Sequence, residues 1–165
     1  MILGMSLEAF TTFHVIISLV ALLAGAAMLI ALLQGKDMPA VTGVFLIFTV
    51  LTSATGFLFP ASQILPSHVV GGISLGVLIA AIVAYYVARL AGLWRWIYIV
   101  SALSALYFNT FVAVVQAFQK ISALNALAPT GSEPPFLVVQ ILVLAAFIFF
   151  GVIAVRRFHP ATQIT

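Results

Sequence analysis

Few side chains in this sequence have reactive chemistry to offer. Among 165 residues there are three histidines, three carboxylates, six basic residues and no cysteine, so thiolate nucleophiles, disulfides and thiolate metal sites are excluded. What remains is imidazole, amide, hydroxyl and scattered charge. His14 and His68 border long apolar stretches, where a neutral imidazole can exchange hydrogen bonds, take a proton or ligate a metal. Two such imidazoles at one membrane depth are the ligand set of haem b. With Glu8 or Glu133 they have the donor types for a divalent cation, although no HxxxH or HxxE spacing occurs. Asn109, Gln116 and Thr52 add hydrogen-bonding groups and Lys120 adds a cation, while Phe57, Phe59, Phe108, Phe111 and Phe118 offer walls. That mixture suits a quinone, a lipid or another amphipathic ligand. Hydrolysis would need His14 or His68 as base beside Ser53, Ser67 or Glu133, and the chain has neither an acidic dyad nor a metalloprotease motif. The expectation is a ligand-binding protein without independent enzymatic activity.

These groups need a scaffold, and composition fixes its class. Hydrophobic residues make up 65% and charged residues 5%, with mean hydropathy +1.33, whereas soluble domains are about 25% charged. No soluble fold hides that much apolar surface, so the chain is expected to be an all-α integral membrane helical bundle. Five segments reach the roughly 20 helical residues that a crossing takes: Leu7 to Leu33, Ala40 to Phe59, Ser67 to Leu90, Trp96 to Ala117 and Phe136 to Val155. Short connections make them antiparallel neighbours in a single domain over residues 1–165. Met1 to Phe10 carries only Glu8 as a charge, so the first apolar segment reads as a span and not as a secretory signal.

Charge sets the topology. Five spans place Lys36, Arg89, Arg95, Arg156 and Arg157 on one side, and Lys120, Glu8 and Glu133 on the other. The positive-inside rule then puts the N-terminus outside and the C-terminus in the cytoplasm, as in a multi-pass protein of a bacterial inner (plasma) membrane. The net charge of +3 is spent on this asymmetry and makes no nucleic-acid surface. On the basic side Trp94, Trp96 and Tyr98 read as an aromatic belt, and Arg156-Arg157-Phe158-His159 as an anchor to anionic lipid.

Polar side chains in a membrane are costly and face the bundle interior. His14, Ser18, Ala21 and Gly25 share one helical face, as do Thr49, Thr52, Ser53, Gly56 and Pro60, and Ser101, Ala105, Asn109, Ala113, Gln116 and Lys120. His14 lies 22 positions before Lys36, His68 lies 21 before Arg89 and Gln116 lies 20 after Trp96. At about 1.5 Å per residue the three sit at one level, near the outer rim. There the Thr130 to Pro135 loop could form a lid, with Lys120 paired to Glu133. His68, Gly72, Gly76, Ala80, Ala84 and Ala88 recur every four residues, which marks Ser67 to Leu90 as the central, closely packed helix. Gly72 and Gly76 also form a GxxxG match through which copies of the chain could associate.

The motifs Leu51-Thr52-Ser53-Ala54-Thr55-Gly56-Phe57, Pro66-Ser67-His68, Ala105-Leu106-Tyr107-Phe108-Asn109, Val114-Val115-Gln116, Leu127-Ala128-Pro129-Thr130 and Glu133-Pro134-Pro135 resemble those of short bacterial inner-membrane proteins of unassigned function. That resemblance spans nearly the whole chain and implies location and bundle architecture. A weaker likeness, carried by His14 and His68, is to predicted haem or quinone membrane proteins. Ala40-Val41-Thr42-Gly43 and Trp94-Arg95-Trp96 have no histidine at the matching span entrances, which removes an inner haem pair. The expected function is an outer-side polar pocket for a quinone, lipid or haem b. The alternative is an accessory subunit that packs against a larger membrane complex.

Overall fold

The computed structural model of the chain describes residues 2–61, 63 and 66–159. Local chemistry starts and stops its helices. Ser6 caps α1 (Leu7–Leu33) by accepting from the Ala9 amide at 3.2 Å, with Glu8 in the first turn facing the positive helix end. Gly35 closes that helix. Its φ of +71° lets the Gly35 and Lys36 amides reach back to the Leu32 and Ala31 carbonyls at 3.0 and 2.9 Å, which satisfies groups that helix ends leave open. Prolines open α2 (Pro39–Gly56) and α6 (Pro134–Arg157), where a missing N–H has no helical partner to lose.

The third helix, α3 (Pro66–Ile82), runs on through a π turn at Val83–Val87. It stops where Arg89, Leu90 and Gly92 turn left-handed, with φ of 49°, 58° and 53°. The two non-glycine residues pay about 1–2 kcal/mol each for that conformation, and the Leu90 amide donates to the Ala84 carbonyl at 3.0 Å. The chain then forms α4 (Trp94–Lys120) and a single turn, α5 (Ser122–Asn125), whose Asn125 side chain donates to the Phe118 carbonyl at 3.2 Å and so caps α4.

Five of these helices are long and apolar enough to cross a membrane, and the described residues otherwise contain only short turns and one isolated bridge. Three expected ends move by three residues, one of them that of the third span, which closes at Val87 and not Leu90. The second span finishes at Gly56 and not Phe59: the Phe57 and Leu58 amides bond back to the Ala54 and Thr55 carbonyls at 3.2 and 3.1 Å, so the helix closes in a tighter last turn. The fourth continues from Ala117 to Lys120, where the Asn125 cap takes over.

The central helix is α4, not α3. It packs against α1, α2, α3 and α6, whereas α3 packs against α2 and α4 alone, and α1 and α3 do not approach each other. Small residues make this possible: Ser101, Ala102 and Ala105 are buried together on α4. The face that α3 buries is Ser74, Leu78, Ala81 and Tyr85. The four-residue stripe fails as a seam for a geometric reason. Each step of four turns about 400° at 100° per residue, so the row gains about 40° per step and spirals round the helix. Ala84 at one end is buried, while a Cβ added at Gly72 or Gly76 would meet nothing within 4 Å.

The basic end is tightly stitched. The Arg95 guanidinium donates to the Val155 and Phe158 carbonyls, and Arg157 donates to the Leu33 carbonyl at 3.2 Å. Tyr85 donates to Asp37 at 2.7 Å. Tyr98 belongs to this core and not to an interfacial belt: it is fully buried against Tyr85 and Phe158, while Trp94 and Trp96 stay exposed.

Candidate functional site

Helix α2 presents a column of hydroxyls to the interior. Near the basic end Thr42 Oγ1 meets the Tyr98 hydroxyl at 3.2 Å. Two turns further on, the Asn109 amide donates to Thr49 Oγ1 at 3.5 Å, Ser53 donates to Ser74 at 3.2 Å, and Thr55 Oγ1 meets His14 Nδ1 at 2.8 Å. Between these groups lie Phe45 and Leu46, both buried, in a cluster with Met28, Leu78 and Leu106. An apolar layer therefore seals the basic half, and the polar interior belongs to the histidine end.

One arrangement of protons accounts for both the Leu51 and the His14 contacts of the Thr55 hydroxyl. The Thr55 hydroxyl has one hydrogen, and the Leu51 carbonyl takes it at 2.7 Å. Toward His14 the same oxygen can only accept, so Nδ1 carries the ring proton and Nε2 carries a lone pair. His14 Nε2 is thus a hydrogen-bond acceptor, a base or a ligand atom. Phe59 holds the ring in place edge-on, with centroids 5.1 Å apart at 88°. Thr52, one turn from Thr55, has a buried Oγ1 with no hydrogen-bond partner, a condition that costs about 1–3 kcal/mol unless something answers it.

His68 stands at the same end of the bundle, where its ring stacks on Phe57 with centroids 5.6 Å apart at 15°. Thr55 and Phe57 are two residues apart, about 200° round the axis. The imidazoles thus meet the end of α2 on different sides, from helices that do not approach each other. Lys120 is exposed at the rim, close enough for its charge to act on His14. Gln116 is exposed, and Asn109 looks to Thr49 and not to either histidine.

One expected pairing is replaced. Glu133 does not pair with Lys120 among the described residues. Its carboxylate accepts from the Thr130 amide at 3.0 Å, the Thr130 hydroxyl at 2.9 Å and the Ser132 amide at 3.0 Å. These bonds, that from the Thr130 backbone foremost, hold its pKa down at about 2. The short turn with Gly131 at φ +72° brings those donors to the carboxylate, which bonds to donors next to it in sequence and not to an ammonium on another helix. The metal reading of His14 and His68 with Glu8 or Glu133 also finds no support in placement, since no three His, Cys, Asp or Glu side chains come together among the described residues.

Sequence reasoning passed over Thr55, Ser74 and Gln140. Thr55 was legible as the neighbour of Thr52 at a spacing of three. Gln140, the one strongly polar side chain of α6 before Arg156, is buried and donates to the Phe111 carbonyl at 3.3 Å, leaving its Oε1 without a partner. Gly72-Ile73-Ser74-Leu75-Gly76 also spells the Gly-x-Ser-x-Gly pattern of hydrolase nucleophiles. That pattern works only at a strained strand-to-helix turn. Here it lies within α3, and Ser74 is buried against Ser53, so it exposes no nucleophile.

Fold and site define a class: a small bundle of five membrane-length helices, in which a buried apolar layer at Phe45 and Leu46 separates hydrogen-bonded groups at the basic end from those at the histidine end. No family model, curated protein or solved structure matches the chain.

Proposed function

We propose that this chain is a multi-pass inner-membrane protein whose histidine end, facing outward, binds the polar head of an amphipathic small molecule of the quinone or quinol class. The observation that carries the reading is that the buried Thr52 hydroxyl goes unanswered one turn along α2 from Thr55, the partner of His14 Nδ1. A hydroxyl on the ligand donates to His14, and a carbonyl accepts from Thr52. Asn109 and Lys120 stand at the inner and outer limits of the same polar half, and Gln116 and His68 lie toward its rim. The apolar layer at Phe45 and Leu46 supports a site closed from the basic side.

Haem b fits less well. Iron between His14 and His68 could take His14 Nε2 with the Thr55 bond kept, but His68 stacks on Phe57 at the other side of the end of α2, on a helix that does not pack against α1, so the two rings do not face one metal. Gentle extraction followed by mass spectrometry and an absorption spectrum tests both readings. The expected result is a co-purifying prenylated quinone, lost in His14→Ala and reduced about five-fold in Thr52→Val, the share of one hydrogen bond worth about 1 kcal/mol. A Soret band lost in His14→Ala and His68→Ala would overturn this in favour of haem.

A second reading, an accessory subunit that packs against copies of itself or a larger complex, is favoured by one observation. The Gly72 and Gly76 face of α3 is open, and small open faces allow close helix approach in lipid. Cross-linking that Gly72→Leu and Gly76→Leu abolish would support it.

A further inference from the structure

A groove of about 510 Å³ runs between α4 and α6 on the face away from α2 and α3, and nothing in the proposed ligand site uses it. It reaches from Trp96 and Arg156 at the basic end to Tyr107 and Leu144, and its walls are apolar apart from Ser104 and those end residues. Trp96 to Tyr107 is 11 residues, about 16 Å of helix rise. That is close to half of a hydrocarbon core of about 30 Å, the depth of one leaflet. At the far end the Tyr107 and Phe147 rings meet edge to face, 5.6 Å between centroids.

The chemistry of the near end names the occupant. Arg95, next to Trp96, is spent on the Val155 and Phe158 carbonyls and lies 5.8 Å from the Trp96 ring centroid. Arg157 is spent on the Leu33 carbonyl. Arg156 is exposed at the groove mouth with no hydrogen bond or ion pair among the described residues, and no acidic side chain lines the groove. A fixed cation at the membrane surface above a leaflet-deep apolar slot is complementary to a phosphate head with an acyl chain beneath it. We propose that this groove is a specific site for one anionic phospholipid of the basic-side leaflet, its acyl chain between α4 and α6 and its phosphate on Arg156. The proposal rests on membrane insertion but not on the quinone reading, whose residues lie at the other end.

The test is native mass spectrometry of the full chain released from vesicles containing equal phosphatidylglycerol and phosphatidylcholine of the same acyl chains. The wild-type protein is expected to retain one phosphatidylglycerol in preference. Arg156→Gln should cut that preference about five-fold, the effect of about 1 kcal/mol per surface cation, while Arg89→Gln, an equal charge loss in the turn after Val87 and outside the groove lining, leaves it unchanged. Gly151→Leu, which fills the groove wall opposite Leu103, should remove retention of either lipid, and Ser104→Phe repeats that test from the α4 side. Equal losses in Arg156→Gln and Arg89→Gln would reduce the effect to general charge and overturn the proposal. So would full retention in both groove-filling variants, equal retention of the two lipids by the wild type, or a dimer whose α4 and α6 faces are buried against each other.

Discussion

At the residue scale the decisive group is one hydroxyl proton. Because the Thr55 hydrogen goes to the Leu51 carbonyl, the tautomer of His14 is set by a main-chain acceptor four residues away from its partner. Thr55→Val should remove that control. The ¹⁵N spectrum of His14 is expected to change from a single tautomer with unprotonated Nε2 to a mixture, at a stability cost of about 0.6 kcal/mol, typical of a hydrogen bond within a membrane. A spectrum unchanged by the substitution would remove the basis for Nε2 as acceptor. Glu133 gives the pH dependence. Its carboxyl, ordinarily near 4.5, is depressed to about 2 by its turn, so the bonds to Thr130 and Ser132 contribute fully above pH 4.5 and fade as pH falls through 2. Amide exchange at Thr130 and Ser132 should accelerate over that window, and Glu133→Gln should abolish the pH dependence.

At the scale of elements, glycines of the same type have opposite roles. A Cβ at Gly25 would collide with Leu106 and come within 3.0 Å of Phe45, in the layer where α1, α2 and α4 meet. Gly25→Ala is therefore expected to lose about 1–3 kcal/mol to overpacking, while Gly72→Ala and Gly76→Ala leave the stability of the single chain unchanged. Reversible unfolding in detergent measures all three. Apolar run lengths placed the helices to within a few residues, because the breaks between the runs act locally. The α3 stripe misled because a four-residue repeat looks like a face on paper and is a spiral on a helix of 3.6 residues per turn.

The whole molecule has a sealed half and a polar half. Phe45→Ala in the sealed half should cost about 3–5 kcal/mol, and Asn109→Ala or Ser53→Ala in the polar half about 0.6 kcal/mol each. Amide exchange should be slowest in α4 and α2 beside Phe45 and faster toward His14, and the reverse order would contradict the division. Apolarity, span number and the clustering of bases at one end were determined by the sequence, since these depend on composition and order along the chain. Which polar groups meet was decided only in three dimensions. His14 finds Thr55, Glu133 finds its own turn and Arg95 finds the carbonyls of α6, and each choice depends on the rotation and pairing of helices, which periodicity alone leaves open.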